Sequence, residues 1–159
     1  MKKILSAALA ICLVLSLAAC GAGSETKAPQ NMDLEKTYEK LTQTAELPTM
    51  LELPEDLILD LCGIKNENVN QCKIVISEDS LRTDEIWLVE AKDEAGAQAI
   101  EELAQKRLKA KGEESITYSP EQYAVVEKAQ LIRTGRFVAL LVSPDAAALA
   151  TAFRTESGI

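Results

Sequence analysis

Histidine is absent from this 159-residue sequence, and only 4% of the residues are aromatic. Histidine is the usual base for serine and cysteine nucleophiles and a frequent zinc ligand, so both kinds of site lack a usual member. The low aromatic content argues against an extended sugar-stacking platform, although it leaves room for a single aromatic contact. Basic residues number 17 against 25 acidic ones, which gives a formal charge of −8. This balance argues against nucleic acid as a partner.

The N-terminus has the order of an export signal. Lys2 and Lys3 precede an almost wholly apolar run over residues 4–17, after which small residues lead into Cys20. A charged start, an apolar middle and small residues before a cleavage site are typical of secretory signals. The run is shorter than the roughly 20 residues that a membrane-spanning helix needs. A membrane-spanning anchor and an ordinary secretory signal with an incidental cysteine are the alternatives.

The stretch Leu17-Ala18-Ala19-Cys20 resembles the lipobox of bacterial lipoproteins. The resemblance implies that the thiol of Cys20 receives a diacylglycerol and that a signal peptidase cuts between Ala19 and Cys20. Gly21-Ala22-Gly23-Ser24 would then be a flexible spacer behind the lipid. Two acyl chains, such as palmitate, hold a protein stably at a membrane, whereas one chain holds it only weakly.

These signals divide the chain into three parts. Residues 1–19 are predicted to be a lipoprotein signal peptide, residues 20–32 the lipidated cysteine with a flexible linker, and residues 33–159 a single extracytoplasmic domain. The predicted location is the cell membrane, with the lipid anchor on its extracytoplasmic face. An acidic domain gains nothing from an anionic bilayer, so lipid and not charge would hold it there.

Two cysteines follow the predicted lipid site, Cys62 and Cys72. An exported protein permits a disulfide between them, and the alternative is two buried thiols that pack as small apolar groups. The sequence leaves this choice open. Two cysteines are too few for a thiolate zinc cage, and no phosphate-binding glycine loop is present. We therefore expect no metal and no cofactor.

Apolar spacing and capping residues predict five helices and four strands. The predicted helices cover residues 34–46, 54–62, 94–110 and 120–128, and a last one follows Ser143-Pro144-Asp145. The predicted strands cover residues 72–77, 85–92, 129–133 and 137–142. Gly112 is predicted to end the third helix.

The fourth helix has a specific start signal. Ser119 can cap it, Pro120 suits its first turn, and Gln122 completes a capping box. Tyr118 and Tyr123 flank this start, and we expect them to pack at the edge of the helix and not to stack on a ligand.

The order strand, strand, helix occurs twice along the chain. We therefore predict an α+β fold, with an antiparallel sheet built from two strand-strand-helix units. The helices are expected on one face of the sheet, and a pair of N-terminal helices precedes the two units. Residues 137–142 are apolar on both faces, which is typical of a central strand.

The connection between the first two predicted strands carries the best cluster of carboxylates: Glu78, Asp79, Asp84 and Glu85. Carboxylate oxygens suit Ca²⁺ or a cationic ligand, but the spacing differs from that of calcium-binding helix-loop-helix hands. A solvated acidic turn is the simpler interpretation. Trp87, the one tryptophan, is predicted to pack under a helix; a ligand platform would require it to be exposed on an open sheet face.

The folded part also resembles a known family. The resemblance is carried by Gly63-Ile64, Val75-Ile76-Ser77-Glu78-Asp79, Asp84-Glu85-Ile86-Trp87, Ala91-Lys92-Asp93, Ser119-Pro120-Glu121-Gln122-Tyr123 and Gly135-Arg136-Phe137-Val138-Ala139-Leu140-Leu141-Val142-Ser143. Their order is similar to the domain-of-unknown-function family numbered 4358, small lipoproteins of Gram-positive bacteria. The family carries no known activity, cofactor or catalytic residue. The resemblance therefore implies a surface location and a globular domain behind a lipid.

We expect a non-enzymatic module that binds a protein or another ligand of the cell envelope. The alternative is an accessory component of cell-surface polymer assembly or modification, beside acyl-transfer machinery. A solute receptor ranks below both, because such receptors have two lobes and this chain is too short for two ordinary domains.

Overall fold

The computed structural model describes residues 31–159. The predicted signal peptide, the cleavage site at Ala19 and the lipid site at Cys20 lie outside the described residues. In chain order the elements are α1 Leu34–Thr44, β1 Met50–Glu52, α2 Glu55–Cys62, a 3-10 turn Asn66–Asn68, β2 Val69–Ser77, β3 Glu85–Ala91, α3 Glu94–Tyr118, α4 Pro120–Glu127, β4 Gln130–Thr134, β5 Phe137–Val142 and α5 Ala146–Ser157.

The strands form one sheet in the order β1-β2-β3-β5-β4, and every neighbouring pair is antiparallel. The hairpins of the two predicted units join through β3 and β5, where Trp87 lies opposite Leu140. The α+β class and the antiparallel sheet are thus confirmed. The tight turn between β4 and β5 uses Gly135 at a φ of 54°, which glycine adopts without strain.

Helices cover both faces of the sheet, so the prediction that they share one face is wrong. On one face, α2, α3 and α4 pack against Trp87 and Val89. On the other face, α1 and α5 pack against Ile86 and Leu88. Successive side chains of a strand point to opposite faces, and β5 is buried at every position. A single helical layer would leave half of these apolar side chains in water.

The two N-terminal helices form, but they lie on opposite faces of the sheet. Leu41 of α1 belongs to one core cluster, and Ile58 of α2 belongs to the other. Between the helices the chain forms β1, an edge strand that pairs with β2. The sequence did not predict β1, because three residues are too short to show strand periodicity.

Gly112 does not end α3, which is 25 residues long and continues past this glycine to Tyr118. At Gly112 the helix α4 packs closely: a Cβ there would lie 3.7 Å from Tyr123 and 3.9 Å from Val126. Glycine disfavours a helix interior by only about 1 kcal/mol, so contacts with a neighbouring helix outweigh it. The extra turns place Tyr118 far beyond the predicted helix end at residue 110.

Candidate functional site

The site begins with a carboxylate buried at the start of β3. Glu85 has no exposed surface, although it occupies the first position of its strand. The strand is central in the sheet and covered on both faces, so its first residue is enclosed as fully as its middle ones. A buried carboxylate is stable only when charged partners and hydrogen-bond donors surround it.

Two cations of α3 supply those partners. The Nε of Arg107 donates to Oε1 of Glu85 at 3.0 Å, and Nη2 donates to Oε2 at 2.9 Å. The Nζ of Lys111 lies 2.8 Å from Oε2. Arg107 and Lys111 are four residues apart, and this spacing places both side chains on the same face of the helix. The charges therefore join α3 to the sheet.

The fourth member of this cluster is Trp87, whose indole Nε1 donates a 2.6 Å hydrogen bond to Oε1 of Glu85. Burial by itself would raise the pKa of Glu85. The hydrogen bond from Arg107 and the positive charges of Lys111 and Arg107 outweigh burial and hold the pKa of Glu85 below its ordinary value. The carboxylate is consequently negatively charged beneath the helix at neutral pH.

The loop of residues 78–84 lies beside this cluster and is held by ion pairing and a turn. The Nε of Arg82 donates to Oδ2 of Asp84 at 3.0 Å, and Asp84 is buried. Within residues 31–159 the other oxygen of Asp84 has no hydrogen-bond partner. The amide of Leu81 donates to Oδ1 of Asp79 at 3.0 Å, as in an Asx turn. The loop conformation thus depends on the pairing of Arg82 with Asp84.

Gln122 connects this loop to α4 and does not complete the predicted capping box. Ser119 caps α4 by accepting from the amide of Gln122 at 3.3 Å. The amide of Ser119 is already bonded to the carbonyl of Ser115 at the end of α3. Oε1 of Gln122 instead accepts from the amide of Thr83 at 2.9 Å and from its hydroxyl at 3.1 Å. The start of α4 and the loop are therefore fastened to each other.

An open cleft of about 640 Å³ lies between the loop, the last turns of α3 and the start of α4. We call it the α3–α4 cleft. Lys111 and Glu114 line its α3 side, and Gln122 lines its α4 side. Leu81 and Tyr118 also line it, and they are 81% and 83% exposed. Two large side chains left in water at the rim of one concave surface are typical of a binding site.

The described chain starts at the opposite end of the sheet, where Gln71 holds it. Nε2 of Gln71 donates to the carbonyl of Met32 at 2.9 Å and to Oε2 of Glu90 at 2.8 Å. Its Oε1 accepts from the amide of Leu34 at 3.2 Å. Arg136 completes the group by donating to Oε1 of Glu90 at 2.8 Å. Met32 is buried, so the packed part of the chain extends to this residue.

The predicted acidic cluster does not converge. Asp84 and Glu85 are consecutive residues at the start of a strand, and each pairs with its own cations. Within residues 31–159 no group of three or more acidic, cysteine or histidine side chains is placed to hold a metal ion. Trp87 packs under α3, as the sequence predicted. Tyr118 does not pack at the edge of α4 but is exposed at the cleft.

Cys62 and Cys72 are free thiols in the structure. Cys62 is buried among apolar side chains, and Cys72 is half-buried beside the same cluster. Burial raises the pKa of Cys62 to about 12 and that of Cys72 to about 11. Both thiols are therefore protonated and unreactive at neutral pH.

Sequence reasoning did not find Arg107 and Lys111, although a signal was present. The inward stripe of α3 contains Ile100 and Ala104, and helical spacing continues it through Arg107 and Lys111. Two cations on an inward stripe predict a buried acidic partner.

None of the helices in residues 31–159 is long and apolar enough to span a membrane.

Comparison with known proteins gives one match. No curated protein and no solved structure matches the chain. The model of one protein family, described as Domain of unknown function (DUF4358), matches residues 43–143, a range that runs from before β1 to just beyond β5 and includes the cleft. Since this match covers more than half of the sequence, the chain belongs to the DUF4358 family.

Proposed function

We propose that this protein is a lipid-anchored extracytoplasmic lipoprotein whose α3–α4 cleft binds a ligand or partner of the cell envelope without catalysis. The lipid would be attached to the thiol of Cys20, and the signal peptidase would then cut behind Ala19, as the lipobox resemblance implies. The observation that carries the proposal is the position of the cleft relative to the start of the packed chain.

These two features lie at opposite ends of the sheet. Met32 is held at the Gln71 end of β2, whereas the cleft adjoins the loop that follows Ser77 at the other end. A strand rises about 3.3 Å per residue, so the two ends are roughly 20 Å apart. They also differ in face, because Met32 packs with α1 and α5 whereas α3 and α4 border the cleft. A lipid upstream of Met32 would therefore attach at the end of the domain opposite the cleft and would not block the cleft.

The segment between the proposed lipid and the packed chain is long enough for this arrangement. Residues 20–31 can extend to at most about 40 Å. This reach clears the lipid headgroups while it keeps the domain at the membrane. An envelope component could then bind in the cleft without contact between the domain and the bilayer.

The anchor is tested by fractionation of cells that produce Cys20→Ala. We expect the variant to be released from the membrane fraction or to retain the mass of the uncleaved chain. Cys12→Ala is the matched control, because Cys12 lies within the proposed signal peptide and should not affect processing. Unchanged mass together with full membrane retention of Cys20→Ala would refute the anchor.

The binding role is tested with a photo-crosslinking residue at position 118, beside a control at position 36. Lys36 is exposed on α1, away from the cleft, so the control reports contacts unrelated to the site. We expect a specific adduct from position 118 in intact cells. An acyltransferase or another polymer enzyme in that adduct would favour the accessory role in surface polymer assembly. Identical products from both positions would refute the cleft as the binding site.

A further inference from the structure

Most residues that line the α3–α4 cleft have polar side chains, although carbon atoms contribute more of the lining surface than polar atoms do. Lys111, Glu114 and Gln122 contribute charged and amide groups, and Thr83 and three serines contribute hydroxyls. Leu81 is the one lining residue without a polar side chain. Sites for lipid chains or apolar peptides have mainly apolar linings. A lining of both kinds favours a ligand that combines apolar faces with hydrogen-bonding groups.

The charges in and under the cleft balance. Three cations and three carboxylates lie together: Arg82, Arg107, Lys111, Asp84, Glu85 and Glu114. A charged ligand would leave an excess of positive or negative charge in the partly desolvated cleft, which is unfavourable. A neutral ligand preserves the balance. This argues against phosphates and charged peptides alike.

The cleft contains both a hydrogen-bond donor and hydrogen-bond acceptors that have no partner among residues 31–159. Among the described residues, Nε2 of Gln122 has no partner, because Thr83 occupies only its Oε1. Neither carboxylate oxygen of Glu114 accepts a hydrogen bond from residues 31–159. An amide donor and a carboxylate acceptor on facing walls suit hydroxyl groups, since each hydroxyl both donates and accepts.

Tyr118 adds an aromatic surface beside these polar groups. Tyr118 is 83% exposed and lines the cleft at the end of α3. An aromatic ring left in water offers a flat apolar face with a polar tip. Sugar rings combine one apolar C–H face with a rim of hydroxyls, and they match such a surface next to hydrogen-bonding side chains.

We propose that the α3–α4 cleft binds a neutral oligosaccharide, with one sugar ring against Tyr118 and hydroxyls bonded to Gln122 and Glu114. This inference rests on the cleft being the binding site of the proposed function. The volume of about 640 Å³ lies within the range of roughly 300–1,000 Å³ found for small-molecule sites. One exposed tyrosine supplies one ring contact, which agrees with the low aromatic content of the chain.

The test is calorimetric titration of the full chain, isolated from cells in detergent, with four neutral trisaccharides: tri-N-acetylchitotriose, maltotriose, cellotriose and mannotriose. We expect at least one to bind with a Kd of about 1 mM or tighter. Tyr118→Ala should weaken this binding about tenfold. The matched control is Ile116→Ala, because Ile116 is 57% exposed on the same helix and does not line the cleft. Its Kd should equal that of the unchanged protein.

Salt dependence supplies a second readout. A neutral ligand should keep its Kd when NaCl is raised to about 0.5 M, whereas a charged ligand would lose affinity. Absence of heat from all four sugars at about 10 mM would overturn the inference. Equal weakening by the Tyr118 and Ile116 substitutions would overturn it too, as would peptides that bind at Tyr118 in place of sugars. The cleft as a binding site is tested separately by crosslinking at position 118, so a specific adduct there without binding of any of the four sugars would overturn this inference alone.

Discussion

The indole of Trp87 donates its hydrogen bond to Glu85, two residues earlier on β3, and both side chains are fully buried. Side chains two residues apart on a strand point to the same face, so the two meet beneath α3. Arg107 and Lys111 reach the same carboxylate from the helix. One buried charge thus holds three donors, and its removal leaves two cations without their shared partner.

Glu85→Gln is expected to destabilise the protein by about 3–5 kcal/mol. Loss of one member of a buried ion pair leaves the other charge uncompensated, and here Arg107 and Lys111 both lose their partner. Urea unfolding followed by far-UV circular dichroism measures the change in the free energy of unfolding.

The matched control for that substitution is Glu113→Gln. Glu113 pairs with Lys109 on the same helix, but both side chains are largely exposed. Exposed pairs of this kind contribute about 0.5 kcal/mol or less. If the two variants lose similar stability, the Glu85 cluster is not the junction between α3 and the sheet.

The same cluster should make stability depend on acid pH. Burial opposes the charge of Glu85, but Arg107 and Lys111 hold its pKa below the ordinary value in the folded protein. The unfolded chain then binds the proton more readily than the folded chain. The stabilising contribution is complete above the unfolded pKa of about 4.3 and is lost as the pH falls through the lower folded pKa. The stability difference between the unchanged protein and Glu85→Gln should therefore shrink below about pH 4. A difference that stays constant from pH 7 to pH 3 would contradict this assignment.

Much of the fold could be predicted because its signals are local. Gly63 ends α2 in a left-handed conformation at a φ of 72°, and Asp33 accepts the capping hydrogen bond at the start of α1. Residues 137–142 form a central strand, as their two apolar faces indicate. Each of these features depends on a few neighbouring residues, so the sequence contains all the information they need.

The parts that could not be predicted depend on distant residues. The side chain of Gln122 does not complete the capping box. It accepts a hydrogen bond from Thr83, which lies 39 positions earlier in the sequence. Gly112 stays helical because α4 folds back onto it. The placement of helices on both faces was inferable, since a central strand with two apolar faces requires cover on each. The cleft is formed by a loop and two helices, and no local sequence pattern predicts that these elements lie side by side.

The two thiols should differ in their reaction with iodoacetamide. We expect no labelling of Cys62 and slow labelling of Cys72 in the folded full chain near pH 8, because burial raises both pKa values to about 12 and about 11. Both should react fully in urea without any reducing agent, since neither is bonded to the other in the structure. Mass spectrometry of the tryptic peptides that contain each cysteine measures the two sites separately. A linked pair of these peptides before reduction would show a disulfide instead.

Two glycines should respond in opposite directions to substitution by alanine. Gly112→Ala is expected to stabilise the protein by about 0.5–1 kcal/mol, because alanine favours a helix interior and its Cβ would make ordinary contacts with Tyr123 and Val126. Gly63→Ala is expected to destabilise by about 1–2 kcal/mol, because its φ of 72° strains any residue with a Cβ. That Cβ would also lie only 3.2 Å from Leu103. Urea unfolding of both variants measures the two changes. Destabilisation by Gly112→Ala would contradict this expectation, because it would mean that α4 packs too tightly against α3 for a methyl group at this position.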